Sequence, residues 1–436
     1  MTEPAPLRLA IVGLGTVGAG VIRLLEVNRE LVARRAGRPI EVVAISARDR
    51  NKDRGVDLSR YEWVDDMGTL AGRTDIDAVV ELIGGSDGPA LTLARQCLGA
   101  GKPFVTANKA MIAHHGLDLA HEAERTGVAL KYEAAVAGGV PVIKGLREGA
   151  AANRIMRVYG ILNGTCNFIL TTMERDGSAF AEVLEDAQAR GFAEADPTFD
   201  IDGIDAAHKL AILASLAFGT EIAFPDVDTI GIRHVMAADI REAAALGYKI
   251  RLVAMAECEA EGGENVGLFQ RVHPMLVPVD HPLAHVEGAL NAVVAEGNFV
   301  GRLFFQGAGA GEGPTASAVV ADVIDVARDE YGPAFAMPAE WLQRQVKADA
   351  GTRIGRAYLR LIVEDRPGVL ADITAAMRDA HVSIESVIQR GAIADEGVLV
   401  AVVTHAGAHS CIDDLLTRLR GLDSLLGEPM LMHILD

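Results

Sequence analysis

Carboxylates crowd one short stretch of this chain, where Glu194, Asp200, Asp202 and Asp205 lead into an apolar run from Leu210 to Phe218. The pattern predicts a helix over 203–218, closed by Gly219, with Asp202 as its N-terminal cap and Asp205 in its first turn. The run is apolar on nearly every side, so the helix should be buried. Asp205 and Lys209 nevertheless stand four apart on one face, within reach of each other. Burying charge costs several kcal/mol per group unless it is paired, so such a pair points to chemistry, with a surface salt bridge as the plain alternative. Together with Glu194 and Asp200 the cluster suits a ligand carrying an ammonium group. The same carboxylates could serve a divalent metal, but their spacing matches no EF-hand loop. His208 should point to another helix face and reads as structural, and His114-His115 reads as a surface turn.

Further segments carry reactive residue types. Thr106-Ala107-Asn108-Lys109 sits at the carboxyl end of a predicted strand, the place where open α/β sheets bind ligands. Glu133 to Pro141 is built of small residues and glycine, which leaves carbonyls free for a hard cation, or makes a plain domain-crossing turn equally well. Asn163-Gly164-Thr165-Cys166-Asn167 forms a strand-to-helix turn rich in hydrogen-bonding groups; Cys166 has no base or cation beside it in sequence and is a poor nucleophile. Gly13-Leu14-Gly15-Thr16-Val17-Gly18 fits GxGxxG between a strand and a helix, the arrangement that seats a dinucleotide pyrophosphate on a helix N-terminus. After the second strand, where an NAD-specific site would place an acid, the chain reads Ser46-Ala47-Arg48-Asp49-Arg50. Arg48 and Arg50 suit a ribose 2′-phosphate, hence NADP, unless the loop is only a solvated basic turn.

The elements that position these residues follow from periodicity. Strand-like runs at 7–12, 41–46, 78–83 and 104–107 alternate with helical stretches such as 90–98, which predicts a doubly wound Rossmann-type α/β domain over 1–134. Beyond Tyr248 the strands 249–256, 266–272, 292–296 and 303–305 indicate a largely antiparallel second sheet in an α+β substrate and dimerisation domain over 135–314. The glycine-rich run 307–315 leads into a helix that returns the chain to the first domain, about 315–342. A polar linker is expected at 343–356 and a last module at 357–436.

Composition bounds the partners. The 436 residues are 50% hydrophobic and 23% charged, enough to bury several cores. Sixty acidic against 41 basic side chains give a net charge of −19, which disfavours nucleic acid and anionic membrane surfaces. No apolar run approaches the roughly 18–20 residues of a membrane span, and no basic-apolar leader precedes the first strand. Four scattered cysteines without CxxC spacing fit a reducing cytoplasm, with neither a disulfide frame nor a zinc site of standard pattern.

In order along the chain, GLGTVG, TANKAMIA, EAAVAGGVPVIKGL, GILNGTCNFIL, GFAEADPTFDIDGIDAAHKLAIL and GAGAGEGPTASAVVAD resemble homoserine dehydrogenases of the long, bacterial type. The tail, from Tyr358 through Asp365-Arg366-Pro367-Gly368-Val369, resembles an ACT domain, a βαββαβ module that binds amino acids at paired interfaces. The resemblance implies NAD(P)H-dependent reversible reduction of L-aspartate 4-semialdehyde to L-homoserine, the branch step towards threonine, isoleucine and methionine. It also implies L-threonine as an effector and a homodimer or homotetramer. It assigns catalytic roles to Lys209, Asp205 and Lys109, with Glu194 taking the substrate ammonium and Gly164, Thr165, Asp200 and Thr315 lining the pocket. Gly13, Gly15, Thr16, Val17, Gly18, Arg48, Thr106, Lys109 and Gly311 would hold the cofactor. A sodium ion would take backbone carbonyls of Glu133, Val136, Gly138 and Val140. Phe192 stands where many relatives have tyrosine. The rival readings are another NAD(P)-linked amino-acid or imine reductase, and a non-catalytic amino-acid sensor.

Overall fold

The computed structural model describes residues 4–259, 266–392 and 397–436. Its first sheet is wholly parallel, in the order β3-β2-β1-β4-β5-β6, with β1 Leu7–Val12, β2 Ile40–Ser46, β3 Glu62–Trp63, β4 Ala78–Glu81, β5 Phe104–Thr106 and β6 Leu130–Lys131. Alternate residues of β1 feed separate cores, as side chains of a strand must. Leu7, Leu9 and Ile11 pack with Val21, Ile22, Val319 and Val323. Ala10 and Val12 pack with Val79, Leu98 and Ile112 on the other face. Helices therefore cover both sides: Thr16–Val27 with the returning helix on one, Pro89–Gly99 and Lys109–Thr126 on the other.

The returning helix runs over Glu312–Ala327 and stops there instead of continuing towards residue 342. Asp329 and Ala336 adopt positive φ (59° and 65°), and Pro333 and Pro338 follow, so the chain turns away from helical geometry soon after Ala327.

The second sheet is mixed and mostly antiparallel. Its path is Gly301–Ala308, Leu290–Gly297, Ile155–Ile161, Tyr248–Glu259, Val266–Pro278, Met430–Ile434, Ala357–Val363, Val398–Thr404 and Ile384–Ala392. The last four strands, with helices Val369–Asp379 and His409–Arg420, make the βαββαβ tail module. That module is not a separate sheet. Met275 and Leu276 pair in parallel with His433 and Ile434, which joins it to the substrate domain. The segment expected as a polar linker contributes Gln345–Lys347, a short strand paired with Val266, Gly267 and Leu268.

Candidate functional site

The helix carrying Asp205 and Lys209 spans Ile204–Phe218, and twelve of its residues from Asp205 to Leu216 are buried. Its N-terminal cap is Gly203 (φ 85°), and Asp202 does not fill that place. A short helix, Thr198–Ile201, intervenes, so Asp202 closes that one and pairs with Arg233 on the surface.

Asp205 is the centre of the cluster. One carboxylate oxygen lies 2.7 Å from Lys109 Nζ and the other 2.7 Å from Lys209 Nζ. Lys209 also donates to the Leu162 carbonyl at 2.7 Å. An ammonium has three N–H groups, so one on Lys209 remains for a further acceptor. Burial alone would raise the Asp205 pKa, but the two ammoniums hold it far below the ordinary carboxylate range. Burial lowers Lys209, against the attraction of Asp205. Burial pulls on Lys109 too, yet Asp205, Asp200 and Glu194 outweigh it and raise that ammonium.

Asn163, which sequence reading left inside a generally polar turn, organises the acids. Its Nδ2 donates to Asp205 Oδ2 and to Asp200 Oδ1, both at 2.8 Å, while its Oδ1 accepts from the Cys166 N–H and caps helix Gly164–Asp176. The Thr165 hydroxyl, with one proton to give, lies 2.8 Å from the Phe192 carbonyl and 3.2 Å from Asp200 Oδ2. Gly164 begins that helix where an added Cβ would lie 2.8 Å from the Ala289 carbonyl. Cys166 is buried, its thiol raised by desolvation and the neighbouring Asp200 and Asp205 charges, as befits a packing residue. Glu194 sits exposed in the preceding loop, its carboxylate unpaired among the described residues and close enough to raise Lys109. Phe192 stacks on Phe168 with ring centroids 4.5 Å apart, and Lys109 Nζ lies 5.8 Å from the Phe199 ring centre, so two aromatic rings border the acidic loop.

His208 is enclosed by Phe199, Phe224 and His114, and burial pushes its pKa down to about 4. His114 and His115 lie within helix Lys109–Thr126, where a surface turn was expected. The local pattern resembles a turn only because two polar rings adjoin.

The glycine loop has the geometry a dinucleotide needs. Gly13 takes φ 97°, and a side chain there would run into the Leu82 backbone at 2.5 Å. Gly15 faces open space, and helix Thr16–Val27 begins there without any side-chain cap, leaving its first N–H groups to a ligand. Val17 and Gly18 lie in that helix, Gly18 against the Gly13 carbonyl. Thr106 ends β5 beside β4. Arg48 is exposed just beyond β2. Arg54, which sequence reading missed, donates to the Leu14 carbonyl at 2.9 Å and stacks over Trp63. Gly311 (φ 114°) caps the returning helix, with Thr315 buried in its first turn.

Around the expected cation carbonyls, Ala137 and Gly138 both take left-handed φ (55° and 52°), and Gly139 N–H donates to the Ala308 carbonyl at 3.0 Å. The Val140 carbonyl accepts from Val142 N–H at 2.7 Å. The Glu133 side chain is turned instead onto the Ile143 and Lys144 N–H groups at 3.0 and 2.8 Å. No group of three or more metal-ligating side chains occurs among the described residues. No helix among them is long and apolar enough to cross a membrane.

Comparison with known proteins adds independent findings. Residues 13–133 match the family model described as the NAD binding domain of homoserine dehydrogenase, 141–324 that of homoserine dehydrogenase, and 357–423 that of the ACT domain. The homoserine dehydrogenase of Pseudomonas aeruginosa is 44% identical over 429 residues, covering 97% of each chain. The crystal structure of a homoserine dehydrogenase from Thiobacillus denitrificans superposes with a TM-score of 0.93 at 41% identity, covering 100% of both chains. A hyperthermophilic archaeal homoserine dehydrogenase in complex with NADPH matches 74% of this chain and 98% of its own, at 27% identity and a TM-score of 0.62.

Proposed function

The chain belongs to the homoserine dehydrogenase family of NAD(P)-dependent oxidoreductases, and from that premise we propose that it interconverts L-aspartate 4-semialdehyde and L-homoserine at the Lys109–Asp205–Lys209 cluster. The observation that carries this reading is one fully buried carboxylate clamped between two lysines from different domains.

The loop Gly13, Gly15, Thr16, Val17 and Gly18 would hold the cofactor pyrophosphate at the uncapped helix N-terminus, and Thr106, Lys109 and Gly311 would hold the rest of it. A nicotinamide held in this crevice would supply or accept a hydride at the aldehyde or alcohol carbon of the substrate. Glu194 takes the substrate ammonium, and Asp200, Gly164, Thr165 and Thr315 shape the pocket around it. In the reducing direction the aldehyde oxygen gains negative charge, and the unused N–H of Lys209 is placed to stabilise it and pass it a proton. Desolvation makes that ammonium a better acid than a solvent-exposed lysine. Asp205 keeps both lysines oriented, and Lys109 balances the remaining charge at the cofactor side.

Arg48, exposed beyond the second strand, favours the 2′-phosphate of NADP. The carbonyls of Glu133, Val136, Gly138 and Val140 are the seat for a sodium ion, supported by the paired left-handed residues that turn this backbone. The reaction belongs to the branch towards threonine, isoleucine and methionine, takes place in the cytoplasm and is inhibited by L-threonine through the C-terminal module, in a homodimer or homotetramer. Steady-state kinetics of the full-length protein with aspartate semialdehyde test the reading, comparing NADPH with NADH and adding threonine. We expect turnover of this substrate, a higher kcat/KM with NADPH, and loss of rate on adding threonine. Turnover of other amino-acid or imine substrates in its place would overturn the substrate assignment.

A further inference from the structure

Glu81 ends an otherwise apolar strand and is fully buried. Its carboxylate meets donors on both oxygens. Oε1 accepts from the Ile83 and Gly84 N–H groups at 2.5 and 3.1 Å, and Oε2 accepts the Thr106 hydroxyl at 2.6 Å. The Thr106 oxygen itself accepts from the Asn108 N–H at 2.9 Å, so its one proton is directed at Glu81. A protonated carboxyl would set a fourth donor among these three, whereas the ionised form satisfies them all. No lysine, arginine or histidine forms an ion pair with it among the described residues. Burying such a charge costs several kcal/mol without compensation, so the hydrogen bonds it makes should have a purpose.

Those bonds tie together two loops at the carboxyl ends of β4 and β5. One, residues 82–85, packs against the Gly13 turn. The other, 106–109, ends in Lys109. Asn108 links them again, its Nδ2 donating to the Gly85 carbonyl at 2.7 Å while its Oδ1 caps the Lys109–Thr126 helix through the Met111 N–H at 3.0 Å. Lys109 follows as the first residue of that helix and reaches Asp205.

We infer that Glu81 is a positioning residue: an ionised carboxylate that, through Thr106 and Asn108, fixes the backbone from which Lys109 reaches Asp205. The inference rests on the reading of Lys109 as part of the machinery. A glutamine at 81 cannot replace the carboxylate. Its single oxygen can serve Ile83 and Gly84, but its NH2 then faces the Thr106 hydroxyl, whose proton loses its acceptor.

A double-mutant cycle on the full-length protein tests this, reading kcat for homoserine oxidation, with circular dichroism to check folding. Glu81→Gln lowers kcat about 10- to 100-fold, the scale of one lost hydrogen bond to a charged group. In a Lys109→Met background the same change alters kcat less than about twofold, because the link already ends in a missing amine. Multiplying effects, or unchanged kcat in Glu81→Gln, overturn the inference while leaving the site reading intact. Unchanged kcat in Lys109→Met overturns the site reading itself. Should Glu81→Gln not fold, Asn108→Ala cuts the link one step nearer Lys109 and must show the same coupling; independent effects there overturn the inference equally.

Discussion

Asp205 and Glu133 are both buried carboxylates near the junction of the parallel sheet with the substrate domain, and their protons behave in opposite ways. Asp205 touches two ammoniums at 2.7 Å and is held far below the ordinary range. Glu133 meets only backbone N–H groups directly, with Asp322 close by, and burial together with that like charge pushes it up to about 7. Lys144 and Arg147 act on Glu133 only as weaker, lowering influences. Asp322 is itself raised to about 6 by burial, with Lys144 Nζ 3.8 Å away. Equal burial thus gives opposite results, and the deciding quantity is whether a cation lies within hydrogen-bonding distance.

The sharpest way to break this comparison is to remove Lys209, the cation proposed to face the substrate. Lys209→Ala should cost about 100- to 10,000-fold in kcat, the range for a lost general acid, while NADPH affinity measured by fluorescence stays within about threefold. Near-normal turnover would refute the role of Lys209. Removing the anion instead should act on stability. Asp205→Asn leaves the buried Lys209 ammonium without its counter-charge beside the half-buried Lys109, and urea denaturation should show a loss of about 3 kcal/mol. An unchanged midpoint would mean that the pair is dispensable to the fold.

The smallest effect belongs to Glu133. Its folded pKa of about 7 lies above the ordinary 4.5, so between those values the native chain binds more protons than the unfolded chain. Stability from this group is therefore present below about pH 4.5 and lost as pH rises through 7. Glu133→Gln stays neutral throughout, so the variant should keep about 2 kcal/mol more of its stability than the parent between about pH 5 and pH 8, read from urea midpoints. Parallel pH curves would show that a bound cation or the backbone donors, and not burial, govern Glu133.

What could be read along the chain was whatever local spacing determines. The glycine fingerprint, the alternating strands and the Asp205–Lys209 pair lie within single elements, where periods of 2 and 3.6 residues constrain the outcome. The Asp202 cap was misread because Asp200, Asp202 and Gly203 lie together, and no local rule distinguishes one helix from a short helix followed by a turn. Lys109 meets Asp205 only through the packing of one domain on another, so its partner was out of reach of periodicity. Asn163 and Glu81 left faint signals, an amide preceding Gly-Thr and a lone charge closing an apolar strand. Their hydrogen bonds cross 42 and 25 positions of sequence and emerge only with the fold.

One edge of Val266–Pro278 is divided among three visitors: Gln345–Lys347 at its start, Asp228–Thr229 in the middle and Met430–Ile434 at its end. Cutting away the C-terminal module would strip this rim of Met430–Ile434 and expose unsatisfied amides and carbonyls that invite self-association. A shortened chain that loses activity would therefore report a ragged sheet and say little about feedback. The effector control proposed for this enzyme is better probed by single substitutions that leave the seam closed.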